Sequence, residues 1–243
     1  MNNPITCSTG LLYRLLDDND SNYFDKIFDI LKNYDFDGFE LAFQKFKRLE
    51  NFKLSDSNLN FLKSLNFNTL HSPCNFVFTG DKKSKELLKK MENIYKLIGA
   101  KNIVFHTCCF KKNYDILKNY DFNYSIENED SLKNVFNTIE EVKDFFAKNN
   151  NYNFTFDFAH ANNVYGNKVI EFAKQFSPKI VQVHMAKIKD GHHYFIHKSN
   201  IDDLMNEFKE SINDNVIITS ELCLENKDEL KDLANELDYL RKL

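Results

Sequence analysis

Short runs rich in β-branched and aromatic residues alternate with longer stretches of helical periodicity along the whole chain. The short runs predict strands at Ile5–Cys7, Gly38–Ala42, Asn68–His71, Asn102–His106, Asn123–Glu127, Asn153–Asp157, Lys179–His184 and Val216–Glu221. Amphipathic patterns predict helices over Tyr23–Asn33, Asp56–Leu65, Lys83–Ile98, Ser131–Lys148, Val169–Phe176 and Ile201–Ser211, with Lys227–Leu240 closing the chain. A shorter connection, Lys111–Asn119, joins the fourth strand to the fifth. Strands separated by amphipathic helices read as parallel strands with crossover connections. Eight such units in 243 residues lead to an α/β fold, a single (β/α)8 TIM barrel forming one domain over residues 1–243, since such barrels take about 250 residues. A doubly wound open sheet is the alternative. Its usual glycine-rich turn is missing, because CSTGLLY after the first strand does not make GxGxxG.

The heptapeptide ILKNYDF occurs twice, at Ile30–Phe36 and Ile116–Phe122, each time where a helical pattern gives way to a strand. Repetition of that junction suits a repeated βα unit.

Composition narrows the functional classes. The net charge is -4, and the 32 cationic residues include only Arg14, Arg48 and Arg241 as arginines, so no general basic field for nucleic acid is present. The segment QKFKR, Gln44–Arg48, is one local candidate for gripping phosphate, against the plainer reading of a solvated charge run. Five cysteines without a CxxC pair argue against a disulfide framework and for a reducing, cytoplasmic setting. Nowhere do about 18 apolar residues run together, so no membrane span is expected.

The chemistry concentrates at strand ends. All seven histidines lie beyond residue 70, and predicted strands three to eight end in His71, His106, Glu127, Asp157, His184 and Glu221. Any one histidine at a strand end is more often a hydrogen-bonded core group than a ligand. Carboxylates in a barrel mouth are different, because burying them is costly unless a cation or donor neutralises them. In a barrel these ends converge on one axis, and mixed imidazole and carboxylate donors suit a divalent Zn, Mn or Co ion. His160, three residues past Asp157, is close enough to turn back over the mouth. Asp190, His192 and His193 on the following loop could hold a further ion or the substrate, with one of the adjacent histidines facing solvent. Cys108 and Cys109, directly after His106, read as small packing residues.

The ordered segments GFELAF, HSPC, VFHT, SIEN, DFAH, VHMA with a downstream histidine, and SELC resemble the xylose-isomerase-like barrel superfamily over about Gly38 to Glu221. That superfamily holds sugar and sugar-phosphate isomerases and epimerases, and also endonuclease IV, which cuts DNA at abasic sites. The resemblance implies that Glu127, Asp157, His184 and Glu221 hold the single ion of the isomerases and epimerases. It likewise matches His71 and His106 to further histidines of the endonuclease's first zinc, and His160 and His193 to ligands of its third. The endonuclease's remaining ligand, an aspartate, falls on Gly191, with Asp190 displaced by one. The glycines that normally follow the loop histidine fall on His197 and Ser199.

Two mechanisms follow from that resemblance. In the first, favoured by the sequence, one ion acidifies a sugar C–H. Glu127 and Glu221 then move the proton through an enediolate of a small sugar or sugar phosphate, with His160 and Glu40 at the substrate. In the alternative, two or three ions activate water against a DNA phosphodiester. The endonuclease carries an aromatic residue just after its HxP motif, where this chain has Cys74. A third expectation is a barrel that binds metal without catalysis. Many barrels of this kind associate into homo-oligomers, and the sequence leaves the oligomeric state open.

Overall fold

Along the strands Gly38–Ala42, Thr69–His71, Tyr124–Glu127 and Asn153–Asp157, large apolar side chains alternate with small or polar ones, and that alternation decides what the barrel encloses. The computed structural model describes residues 3–17, 20–110, 113–130 and 135–243. Its strands are β1 (Ile5–Ser8), β2 (Gly38–Ala42), β3 (Thr69–His71), β4 (Ile103–His106), β5 (Tyr124–Glu127), β6 (Asn153–Asp157), β7 (Ile180–Met185), β8 (Lys187–Lys189), β9 (His192–Tyr194) and β10 (Ile217–Ser220). All but β8 and β9 pair in parallel, in the order β1-β10-β7-β6-β5-β4-β3-β2, and β2 closes onto β1. The helices around them are α1 (Tyr23–Leu31), α2 (Phe46–Glu50), α3 (Asp56–Lys63), α4 (Lys82–Leu97), α5 (Ile139–Lys148), α6 (Phe158–Tyr165), α7 (Val169–Phe176), α8 (Asp202–Ser211) and α9 (Leu233–Lys242). This is the predicted (β/α)8 barrel.

Outward residues of the strands form an aromatic shell beneath the helices. Phe39 of β2 meets Phe28 of α1 with ring centroids 5.6 Å apart. Phe154 of β6 lies between Phe146 of α5 and Phe176 of α7, at 5.5 and 5.7 Å. Burying each such ring contributes about 1.5–3 kcal/mol. The two ILKNYDF copies repeat a local arrangement within this shell: Tyr34 and Tyr120 each pair with the phenylalanine two residues on, at 6.4 and 5.8 Å.

Inward residues make a hydrogen-bonded layer instead of the usual branched aliphatic filling. Asn102 Nδ2 donates to Ser125 Oγ at 2.7 Å and to Gln182 Oε1 at 3.0 Å. Gln182 Nε2 in turn donates to Glu40 Oε2 at 2.8 Å and to Thr219 Oγ1 at 2.9 Å. Thr6 and Thr219 hydroxyls bond at 2.8 Å, those of Ser125 and Thr155 at 2.5 Å. An unpaired polar group here costs about 1–3 kcal/mol, and the layer pairs most of its members, leaving Asn102 Oδ1 and Glu40 Oε1 buried without a partner. Gly38 lets β2 pass close to its neighbour, since a Cβ there would meet the Phe67 backbone at 2.4 Å.

Several predicted elements change length. The stretch predicted as a helix from Ser131 begins at Ile139, where Thr138 Oγ1 accepts from Glu141 N and the Glu141 side chain reaches back in a capping box. Ser131–Asn134 lie outside the described residues. Lys227–Asp232 is 3-10 helix leading into α9, and Tyr114–Asn119 is also 3-10, with Lys111 and Lys112 outside the described residues. The short helices α2 and α6 were not predicted. Neither was the β8–β9 hairpin, whose Asp190-Gly191 tip takes φ of 51° and 78°, the left-handed pair that a tight hairpin turn requires. Among the described residues, no helix is long and apolar enough to cross a membrane.

Candidate metal centre

A period of two places the predicted ligands one step above the polar layer. Thr69 precedes His71, Ser125 precedes Glu127, Thr155 precedes Asp157 and Gln182 precedes His184, each at i, i+2 on the inward face. Register then sets His106 beside Glu127 and Asp157 beside His184. Glu221 follows β10 directly, its backbone N–H bonded to Met185 O at 3.1 Å. Asp157 also caps α6: its Oδ1 accepts from His160 N at 2.6 Å, which fixes His160 over the mouth.

Four overlapping groups of donor atoms result, the members of each within 4.8 Å of one another: Glu127, Asp157, His184 and Glu221; His71, His184 and Glu221; Asp157, His160 and His193; and His71, Cys74 and His106. All eight residues matched through the resemblance therefore meet at one end of the barrel. The hairpin settles the ambiguity between adjacent histidines by strand alternation. His193 faces the mouth, while His192 turns outward to Arg14 Nη2 at 2.9 Å. Asp190 sits at the hairpin tip, and His197 bonds Glu236 of α9 at 2.6 Å, so neither belongs to these groups.

Each mouth histidine has one ring nitrogen tied off. A carbonyl can only accept, so Nδ1 carries the proton where His71 meets Ser72 O (3.0 Å), His160 meets Asn128 O (3.0 Å) and His193 meets Glu221 O (2.8 Å). His106 Nδ1 bonds Glu129 Oε2 at 2.8 Å, and His184 Nε2 bonds Glu40 Oε2 at 3.0 Å. The opposite nitrogens of His71 and His106 face Glu127 Oε2 at 3.1 and 3.4 Å. His184 Nδ1 stands 3.1 Å from Glu127 Oε1 and 3.2 Å from Glu221 Oε2. Outer partners of this kind orient imidazoles for metal ligation.

The electrostatics point the same way. Burial alone would lower the His184 imidazolium, yet Glu40, Glu221 and Glu127 outweigh it and hold its pKa well above the ordinary value. His106 is raised likewise, against burial, by Cys74, Glu127 and Glu129. Burial lifts Asp157 to about 6, although His160 and His193 pull the other way. Glu127 and Glu221 fall below the carboxylate range despite burial, the first held down by His106 and His184, the second by His184 and His193. Protonated imidazoles here keep buried carboxylates together, which is what a divalent cation does. Asp157 Oδ2 and Glu221 Oε2 are buried without a hydrogen bond even so. The nearby imidazole nitrogens, 3.4 Å and 3.2 Å away, are the ones already engaged with Asn128 O and Glu127. Two orphaned carboxylate oxygens among imidazoles form a donor set that fits Zn, Mn or Co.

Some residues take other positions than the sequence suggested. Glu40, expected at the substrate, is fully buried beneath His184 and orients that ring. Arg48 of QKFKR is no solvated phosphate grip: its guanidinium lies 4.2 Å over the Tyr23 ring, and burial lowers its pKa to about 10. Cys108 and Cys109 stay outside the donor groups, whereas Cys74 enters one. Sequence reasoning missed Glu129, whose only signal is SIENE, two residues past Glu127. It also missed Asn128, which bonds both the N–H and the carbonyl of Asp157, at 2.8 and 3.0 Å.

A cavity of about 210 Å³ opens over Glu221, bordered also by Gly10, Tyr13, Gln44, His193 and Cys223. A larger one of about 1010 Å³ lies on the helix side, lined by Phe52, Leu54, Leu59, Leu97 and several lysines. It holds no imidazole and stands apart from the donor groups.

No protein-family profile matches the chain, and no curated protein matches it in sequence. Solved structures do match. A D-tagatose 3-epimerase-like protein is 17% identical with a TM-score of 0.64, covering 98% of each chain. Endonuclease IV from Thermus thermophilus is 13% identical with a TM-score of 0.65, covering 99% of this chain and 100% of that one. The probable 3-DHS dehydratase AsbF from Bacillus anthracis is 13% identical with a TM-score of 0.66, covering 98% of each. These are xylose-isomerase-like barrels, and their likeness to this chain is one of fold.

Proposed function

We propose that this xylose-isomerase-like barrel is a divalent-metal-dependent isomerase or epimerase of a small sugar or sugar phosphate. Glu127, Asp157, His184 and Glu221 would hold the ion, which when bound draws electron density from two adjacent substrate oxygens and so acidifies the C–H between them. Glu221 is the one carboxylate of this set that borders the cavity, which suits it to take the proton from carbon. The electron pair left behind passes into the neighbouring carbonyl to give an enediolate, and the Glu221 carboxyl so formed returns its proton to the adjacent carbon, which regenerates the carboxylate. His160 and His193, their Nδ1–H groups already given to carbonyls, would accept from substrate hydroxyls through Nε2, while Glu40, itself held by Gln182, keeps His184 oriented from below.

The observation that carries this reading is the small cavity that Glu221 and His193 border. At about 210 Å³ the cavity is smaller than the roughly 300–1,000 Å³ of drug-sized ligand sites. It matches about seven waters, which is monosaccharide scale. Incubation with keto- and aldo-sugars and their phosphates in D2O, with added Mn, Co or Zn, tests it. Deuterium should enter one substrate C–H, and Glu221→Gln should abolish that exchange.

A second reading, zinc-dependent cleavage of DNA at abasic sites, is favoured by one observation. The Asp157, His160 and His193 group is a separate donor set that one-ion sugar chemistry does not need. Metal-dependent cleavage of an abasic-site oligonucleotide, together with absence of exchange across the sugars, would replace the first reading with this one.

A further inference from the structure

The turn after β3 brings a thiol to two imidazoles. His71, Ser72, Pro73 and Cys74 leave the strand in sequence, and the first two residues hold each other in place: His71 Nδ1 donates to Ser72 O at 3.0 Å, which turns Nε2 toward the mouth as the ligating atom. Glu129 does the same for His106. The two rings stand 5.0 Å apart at 50°. Donor atoms of His71, Cys74 and His106 lie within 4.8 Å of one another, and Glu127 Oε2 faces the ligating nitrogens of both rings. Cys74 Sγ also makes a long contact of 3.8 Å to Ser72 O, the carbonyl that holds His71, so one backbone turn positions both donors.

We infer that Cys74 is a thiolate ligand to an ion that it shares with His71 and His106. Thiolate together with imidazole is a zinc-binding donor set. The thiol gives its proton to solvent as the metal–sulfur bond forms. An ion held there would neutralise the carboxylates beside it, and the reacting side stays with Glu221. Thiolate also selects zinc over manganese, so the two ends of the mouth differ in metal preference. The inference concerns a second ion and does not depend on which reaction the Glu221 side catalyses.

Cobalt(II) titration of the full chain tests it. A near-ultraviolet sulfur-to-cobalt charge-transfer band should appear alongside the visible bands of cobalt in the Glu221 site. Cys74→Ser should remove the first and keep the second, while Cys108→Ser and Glu221→Gln keep the charge-transfer band. Zinc affinity of this end should fall in Cys74→Ser by more than the roughly 10–100-fold that loss of an outer partner costs. In the unmutated chain, zinc should protect Cys74 from alkylation, read by mass spectrometry, and a chelator should restore the reaction. Visible cobalt bands without charge transfer, a band that survives Cys74→Ser, or alkylation of Cys74 unchanged by zinc would each overturn the proposal. The first of these outcomes would leave the proposed sugar chemistry intact.

Discussion

The two faces of the same strands have been given opposite tasks. Outward, Phe39, Phe154 and Phe156 meet the helices through buried aromatic contacts. Inward, Thr69, Ser125, Thr155, Gln182 and Thr219 bond to one another and carry the ligands two residues further on. The difference teaches that stability and chemistry are separated here by a single residue step. Each can be perturbed while the other is watched.

The largest expected effect is inward. Glu221→Gln should lower deuterium exchange by about 10²–10⁴-fold, the range for loss of a general base, with little change in the denaturation midpoint. Phe154→Ala, one strand face away, should do the reverse. It should cost about 3–5 kcal/mol in denaturant unfolding, with exchange per folded molecule retained. Loss of exchange without unfolding in Phe154→Ala would break the separation.

Acid–base behaviour sharpens it further in chelator-treated protein. His71 is raised from 6.5 to about 9, since Glu127 outweighs burial, so its contribution is full below pH 6.5 and lost as pH rises toward 9. The shift corresponds to about 3 kcal/mol at most. Asp157, lifted by burial from 3.8 to about 6, also favours the protonated fold and loses that advantage as pH rises through this window. Thermal stability should therefore fall from about pH 6 to 9, Phe154→Ala should lower that curve without changing its slope, and His71→Gln should make the slope shallower while His106 and His184 keep part of it. A smaller effect belongs to Glu129→Gln. Freeing the His106 ring should cost roughly 10–100-fold in zinc affinity on that side, measured by competition with a chelating dye on protein shown to be folded.

Much of this was legible because a barrel converts sequence order into geometry. Strand ends at His71, His106, Glu127, Asp157, His184 and Glu221 could be read from short apolar runs alone, and closure of the sheet brought them together. What escaped has physical reasons. FAHANNVY looks like loop because its asparagines interrupt the apolar pattern, yet Asp157 caps it into α6. The Ser131–Lys148 pattern is amphipathic further back than the helix runs, and only the Thr138 and Glu141 pair marks the true start. Asp-Gly at 190 and 191 was a hairpin signal in a stretch read as loop. Outer partners such as Glu129 and Glu40 have no spacing rule, since they are chosen by where a ring nitrogen happens to point.

The β8–β9 hairpin leaves the barrel after Ala186 and returns one imidazole to it, seated by His193 Nδ1 on Glu221 O and by Cys223 N on His193 O at 3.0 Å. Its tip, Asp190-Gly191, belongs to none of the ligand groups, although Gly191 borders the cavity beside Glu221. Residues added at that tip would lengthen a wall of the mouth while the donor atoms stay in place. The hairpin is thus the position at which this scaffold can trade one substrate size for another during divergence, or in the hands of an engineer.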